Sequence, residues 1–495
     1  MHLTLTISYL LVLVLILFWI NKKYLSEFKF STTLTFFILK LFASLFFLYV
    51  YTYHYGGGEL TADAGRFFQE AKILHNVFYE KTEAYFSLMT NIGQDQALIN
   101  EYLEATSHWN ASERYLPNDS RNVIRVNSVL LFLSQGSIVV HFFIFSFLTF
   151  LGGIDVYQFL KKHSSLAPVI ILGLLTIFPS IAFWGSSIIK EPLMLLGFCL
   201  LIRGVFDKLS WKSHLWRILL GTILMLMFKP YILFCFIPFI IYFVLTKYIY
   251  PKNLIKSTLV VFLVGLIAFL STGKLDHLVH VISKQQEDFI NVRDGGLYLI
   301  DDEEHYHYIY YTNRSKFEIK DGYATLLEPT GSFYMKQNDN HNRTPVKLND
   351  VGKKWKVGHN LQRAGSGIAI TPIQDDLITM VKIIPEVLLN TTIRPYPLDP
   401  GSWLKYLAFI ENIVLILLVI CGFFILPRPT TMREKRILFS MLFFALLISI
   451  IVGWTTPVLG AIVRYKVPAT LGFIIVVIIT SKEVPILSKI VKRIS

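Results

Sequence analysis

Hydrophobic residues in this chain gather into runs separated by short polar turns, with two long interruptions at 54–126 and 273–402. A helix of about 20 apolar residues crosses a bilayer core. Eleven runs fit that description, near 3–20, 33–53, 127–151, 166–184, 190–206, 214–228, 231–247, 255–272, 403–426, 437–454 and 460–480. The pattern predicts an all-α polytopic membrane protein of about 11 transmembrane helices. It divides into an anchor helix and first loop (1–30), a membrane module carrying the loop 54–126 (31–272), a small α+β domain (273–402), and a three-helix membrane segment with a basic tail (403–495).

Inside 54–126 the period changes. After Thr61, which suits a helix N-cap, Phe67, Phe68, Ala71, Leu74, Val77 and Phe78 recur at helical spacing and predict an amphipathic helix lying at the membrane interface. A second helix is expected near 93–107, ahead of the Arg121-Asn122-Val123-Ile124-Arg125 approach to the third run. In the second interruption, 282–289 reads as helix, 308–311 and 367–370 lean toward strand, and the amphipathic stretch 377–389 leads back to the membrane at Arg394-Pro395-Tyr396-Pro397.

Composition agrees with the pattern and excludes a soluble globular chain: 54% of residues are hydrophobic, only 16% are charged, and the mean hydropathy is +0.52. Cys199, Cys235 and Cys421 all fall in apolar runs without CxxC or Cys/His spacing, so neither a disulfide framework nor a sulfur-ligated metal site is expected. The first run has no basic residue before it and ends at Asn21-Lys22-Lys23, which reads as a retained anchor rather than a cleaved signal.

The net charge of +13 changes meaning once it is located. Lys22, Lys23 and Lys29, Lys161 and Lys162, Arg203, Lys208, Lys212 and Arg217, Lys247, Lys252 and Lys256, Arg428, Arg433, Lys435 and Arg436, and Lys482, Lys489, Lys492 and Arg493 occupy alternate loops. This positive-inside pattern puts the N-terminus outside and the C-terminus in the cytoplasm. The charge is topological, and no nucleic-acid partner is expected. Residues 54–126 and 273–402 then share the outer side.

On that side the chain carries unusual ions. His54-Tyr55-Gly56-Gly57-Gly58-Glu59-Leu60-Thr61-Ala62-Asp63 is a glycine-hinged turn with two carboxylates, Glu59 and Asp63. Asp63 falls in a first helical turn, where the dipole keeps a carboxylate ionised. A solvated loop acid is the simpler account of either residue. The turn 178–192 re-enters the membrane with Lys190 and Glu191; Phe228-Lys229-Pro230-Tyr231 and Arg464-Tyr465-Lys466-Val467-Pro468 repeat the arrangement. Any one of these cations reads first as snorkelling to the headgroups. Three at the same depth beneath an acidic loop suit a phosphate headgroup, and Arg125 is a further candidate contact. Lys40 lies within snorkelling reach of the cytoplasmic side, and His141 reads as a mid-span histidine bonded to a neighbouring helix. The run 301–307 could bind a cation but reads better as solvated charge.

These motifs resemble the GT-C class of membrane glycosyltransferases. They share an acid in a long first outer loop, a Pro-x-x-x-x-Trp-x-Ser-x-x-x-Lys-Glu-like turn, a basic-Pro-Tyr turn and a late Arg-Tyr-x-x-Pro. The resemblance looks closest to bacterial membrane proteins of this size seen often in Bacteroidetes, and it leaves 273–402 unexplained. It implies a polyprenyl-phosphate-linked sugar donor, an acceptor that is a glycan, lipid or protein, and a bacterial inner membrane. It also implies Asp63 as general base with Glu59 as its competitor, and substrate contacts from Lys190, Glu191, Lys229, Tyr231, Arg464, Tyr465 and Arg125. Where many relatives carry Asp-x-x-x-Tyr, this chain has Arg66 and Phe67 after the acid. A divalent metal held by Glu59, Asp63 and His54 stays open. Two other classes stay open with it. An O-antigen-type polymerase or ligase would rely on Arg394 or His359 in the second interruption, and a lipid or polysaccharide transporter would lack transferase activity.

Overall fold

Twenty apolar residues in a row leave a backbone in lipid nothing to bond but itself, and the helix is the solution. The computed structural model describes residues 2–93, 96–104, 106–109, 119–301, 305–337, 343–425, 427 and 430–482. It opens with α1 (His2–Tyr24) and α2 (Phe30–Tyr49), which a π-helical turn at Val50–His54 prolongs.

The first interruption folds as α3 (Ala62–Glu80), α4 (Thr82–Thr90), α5 (Gln96–Leu103) and α6 (Asp119–Ser134). The expected stripe of α3, Phe67, Phe68, Ala71, Leu74 and Val77, is buried, with α6 packed alongside; Phe78 is half buried. Thr61 holds the N-cap position without a side-chain cap.

The run 127–151 is not one helix. Gln135 (φ 47°) and Gly136 (φ 83°) turn left-handed after α6, and α7 (Ile138–Leu160) starts afresh. His141 therefore lies in the first turn of α7 rather than mid-span, buried, with Ser134 Oγ at 2.7 Å and Asn127 Oδ1 at 2.8 Å as ring partners.

The run 166–184 is broken too, into α8 (Pro168–Thr176) and α9 (Pro179–Trp184). A break in an apolar interior strands backbone polar groups unless something meets them. Lys40 does this rather than snorkel: it is fully buried, with Nζ 3.5 Å from the carbonyl oxygens of both Thr176 and Ile181. Glu411 accepts the Ser180 N–H at 3.1 Å.

Next come α10 (Lys190–Phe206), α11 (Trp211–Phe228), α12 (Pro230–Leu245) and α13 (Leu254–Ser271). α10 and α11 cross at small residues, as membrane helices do. A Cβ added at Gly221 would lie 2.7 Å from the Gly197 carbonyl oxygen and 3.0 Å from the Leu201 nitrogen. Both are backbone atoms, so Gly221→Ala must part the helices. A loss of about 1–3 kcal/mol, the usual cost of overpacking, is expected as a lower melting temperature in detergent, and an unchanged one would contradict the close crossing.

The second interruption begins with α14 (Leu275–Asp294). Then β1 (Gly296–Ile300), β2 (His305–Tyr310), β3 (Phe317–Lys320), β4 (Tyr323–Leu326), β5 (Ser332–Gln337), β6 (Arg343–Lys347) and β7 (Lys354–Leu361) form one sheet. Its order is β3-β4-β7-β1-β2-β5-β6, with every pairing antiparallel. Leu297, Leu299, Ile309, Phe317, Leu326 and Trp355 form its core. The stretch 367–370 is not a strand and makes only an isolated bridge, Gly367 to Val458. Of the acidic run, Asp301 lies 3.2 Å from His307 Nε2, and 302–304 fall outside the described residues.

The chain closes with α15 (Leu377–Lys382), α16 (Ile384–Thr392), α17 (Leu404–Ile420), α18 (Met432–Thr455), α19 (Leu459–Tyr465) and α20 (Val467–Thr480). Among the described residues six helices are long and apolar enough to cross a membrane: α1, α2, α7, α13, α17 and α18, with α19 and α20 a seventh if that pair, bent by 51°, is one span. This is fewer than the eleven expected runs. Hydropathy smooths over the breaks at Gly136 and Pro179, and α10, α11 and α12 have 17, 18 and 16 residues, at the lower limit of a crossing.

Ions gather at both ends of α10, which at 1.5 Å per residue is about 25 Å long. At its C-terminal end Asp155 binds Arg203 (2.6 Å) and Arg217 (2.8 Å), and Asp207 binds Lys162 (3.2 Å). Its N-terminal end holds a different group.

Candidate functional site

The group is built from five distant stretches of chain. Behind the π-turn, Gly56 lets the backbone fold onto itself, since a Cβ there would lie 1.9 Å from the Glu59 carbonyl oxygen. Gly65 does the same one step on, where a Cβ would lie 2.0 Å from the Leu60 carbonyl oxygen. The two close approaches set the first turn of α3, and with it Asp63.

Asp63 Oδ2 accepts a hydrogen bond from Arg464 Nη1 at 2.6 Å. The other side of that guanidinium forms a fork on Glu191: Nε to Oε1 at 2.6 Å and Nη2 to Oε2 at 3.0 Å. Such bidentate pairs are the strong, orienting ones. Glu191 is wholly buried in the first turn of α10, where the positive end of the helix favours a carboxylate. It also receives Lys229 Nζ at 3.0 Å. Lys229 Nζ stands 4.4 Å from the Tyr465 ring centre and 5.8 Å from that of Tyr231. The Arg464 guanidinium carbon lies 5.9 Å from the Trp184 ring centre. Lys190 Nζ binds Asp119 Oδ1 at 2.6 Å, and its charge still reaches Asp63.

Seven of the nine residues singled out from the sequence thus meet: Asp63, Lys190, Glu191, Lys229, Tyr231, Arg464 and Tyr465. Arg125 is engaged elsewhere, donating to the Leu88 carbonyl, to Asn91 and to Asn122, so it ties α6 to α4. Glu59 is exposed at the turn. His54 packs on Tyr55 and Trp403, and among the described residues no three His, Cys, Asp or Glu side chains are grouped to hold a metal ion. Arg394 pairs with Asp399 at 3.7 Å and stacks on Tyr396; the side chain of His359 lies outside the description.

Sequence reasoning missed Asp119 and Trp184 as members. Asp119 was visible only as an acid preceding a hydrophobic run, and Trp184 stood in the Pro-x-x-x-x-Trp-x-Ser-x-x-x-Lys-Glu-like turn without being named as a contact.

Two properties of the group matter chemically. It is self-neutralised, with Lys190, Lys229 and Arg464 facing Asp63, Asp119 and Glu191. And Asp63 is its open edge: its side chain is 45% exposed, against 14% for Arg464 and none for Glu191. Burial pushes the Asp63 carboxyl up, but the charge and hydrogen bond of Arg464 outweigh it and hold the group below the ordinary aspartate value. That is the reverse of what a resting general base needs.

Beside the group lies an apolar cavity of about 410 Å³. Phe42 and Phe46 of α2, Trp184 of α9, Leu407 and Ala408 of α17 and Val463 of α19 are among its walls. Phe42 and Leu407 are themselves exposed, so the cavity opens sideways between α2 and α17. α14 also reaches the group, through Phe289, whose ring centre is 5.9 Å from that of Tyr465.

No protein-family model, no curated protein and no solved structure matches this chain.

Proposed function

We propose that the protein is an integral-membrane glycosyltransferase of the GT-C type. It would move a sugar from a polyprenyl-phosphate-linked donor to a glycan, lipid or protein acceptor outside a bacterial inner membrane. In this reading α8 with α9, α10, α11 and α12 also cross, which with the seven candidate spans makes eleven. The N-terminus is then outside and the C-terminus cytoplasmic, and the Asp63 end of α10 faces outward.

One observation carries the reading. Three cations from separate turns gather in one ionic group, Arg464 on Asp63 and Glu191, Lys229 on Glu191 and Lys190 on Asp119. Its open edge is the half-exposed Asp63 carboxylate, beside a cavity apolar enough for a prenyl chain. In the reaction Asp63 takes the proton of the acceptor hydroxyl, and that oxygen attacks the anomeric carbon. The bond from that carbon to the phosphate oxygen breaks, and the phosphate leaves with the electron pair, its charge met by Arg464, Lys229 and Lys190. A single displacement inverts the anomeric centre. Glu59, four residues away and exposed on the turn, is the second candidate base.

The test is sugar transfer by the protein in nanodiscs, supplied with short-chain polyprenyl-phosphate hexoses. Release of polyprenyl phosphate is expected, and none from any hexose by folded protein overturns the proposal. Filling the cavity with Ala408→Trp is expected to raise KM for the lipid donor roughly tenfold, the order lost when a few buried methylenes are excluded, with kcat little changed. An unaltered KM would remove the cavity from the donor site.

A further inference from the structure

We infer that the Asp63 carboxylate occupies the place of a ligand: an incoming lipid phosphate takes Arg464 Nη1 from Asp63, and the displacement sets Asp63 free. The inference rests on the glycosyltransferase reading and adds an order of events to it.

The guanidinium of Arg464 has one fixed side and one exchangeable side. Nε and Nη2 are locked on both oxygens of Glu191, which is fully buried and also holds Lys229. Among the described residues Nη1 meets only the half-exposed Asp63. Asp63, in turn, has no other hydrogen-bond partner among the described residues. A planar guanidinium binds a phosphate oxygen with the same geometry it offers a carboxylate.

Charge makes the exchange necessary. With three cations facing three carboxylates, a phosphate added beside an unmoved Asp63 would bring excess negative charge to a partly buried site. Swinging Asp63 outward removes one negative charge as another arrives. Trp184 lines the cavity and also lies 5.9 Å from the guanidinium carbon. A chain lying in the cavity therefore carries its phosphate toward Arg464.

The consequence is a base that is masked when no donor is present. Paired with Arg464 through Oδ2, Asp63 is oriented toward the guanidinium and held below the ordinary aspartate value. Released beside a phosphate, it loses the favourable charge and gains an unfavourable one, and both changes raise its basicity.

Binding of farnesyl phosphate to the detergent-purified full chain tests this. Asp63→Asn keeps the shape, removes the competing charge and cannot act as base. It is expected to bind farnesyl phosphate about tenfold more tightly than the wild type, a modest gain because the pair is partly exposed. Lys190→Gln is expected to bind more weakly. If Asp63→Asn binds no better while Lys190→Gln is weakened, the exchange is wrong and the phosphate site stands. If the wild type does not bind, or Lys190→Gln binds as the wild type does, the site reading fails and the exchange with it. Inorganic phosphate serves as the headgroup alone, and equal affinity for both probes would remove the lipid from the inference. A second measurement needs no variant: carbodiimide labelling of Asp63, read by mass spectrometry, should rise when farnesyl phosphate is added to the wild type. A fall would mean that phosphate covers Asp63 in place and would overturn the exchange.

Discussion

Asp63→Asn is expected to lower sugar transfer by roughly 10²- to 10⁴-fold, the contribution of a positioned general base, while Glu59→Gln keeps most of the activity. The two acids are separated by four residues and by their surroundings. Asp63 is fixed in the first turn of α3 and oriented by Arg464; Glu59 is exposed on a glycine turn. Asparagine preserves a carbonyl oxygen for Arg464 Nη1, so the variant should fold, and the loss should lie in kcat. The pH dependence has a definite sign. Because the Asp63 carboxyl is held below the ordinary aspartate value, its pairing adds stability above about pH 4, where the unfolded group ionises. That stability is lost as pH falls through the lower folded value. Acid melting of wild type and Asp63→Asn should therefore differ at neutral pH and converge at low pH. Full transfer by Asp63→Asn together with loss in Glu59→Gln would reverse the assignment.

How much of this was legible in the sequence follows from what each signal can carry. Period 3.6 showed the buried stripe of α3 because both the pattern and its burial are local. The cations Lys190, Lys229 and Arg464 stood out because the charge-topology rule disfavours them where they lie. Their meeting is a matter of helix packing across stretches of chain up to 401 residues apart, which no local pattern records. Glu191 shows the limit well. It was grouped with the substrate contacts, yet it is the one acid that grips both Arg464 and Lys229, and only burial and distance reveal that. Lys40 failed for the opposite reason. Hydropathy sees a lysine in an apolar helix and sends it to the headgroups, whereas the break between α8 and α9 opens carbonyls that hold it inside. The run 127–151 misled because apolar residues continue on both sides of Gln135-Gly136, a turn that hydropathy averages away.

Arg464→Gln is expected to be the most destabilising single change at the site. It leaves Glu191, wholly buried, with Lys229 as its one remaining cation and strips Asp63 of its partner. Removing one member of a buried ion pair costs about 3–5 kcal/mol, because the charge left behind stays desolvated. The variant should melt far lower in detergent and give little folded protein. Arg464→Lys restores the charge but not the fork, since an ammonium cannot meet both oxygens of Glu191 and Asp63 together, and should recover only part of the loss. Arg464→Gln combined with Glu191→Gln removes both the cation and the buried anion, so the pair should be more stable than the sum of its single changes predicts. That coupling, measured as a double-mutant cycle, separates a true buried pair from two neighbours that merely touch. If Arg464→Gln melts with the wild type, the ionic group is not what holds α3, α10 and α19 together, and the fixed side of Arg464 on which the anion exchange depends does not exist.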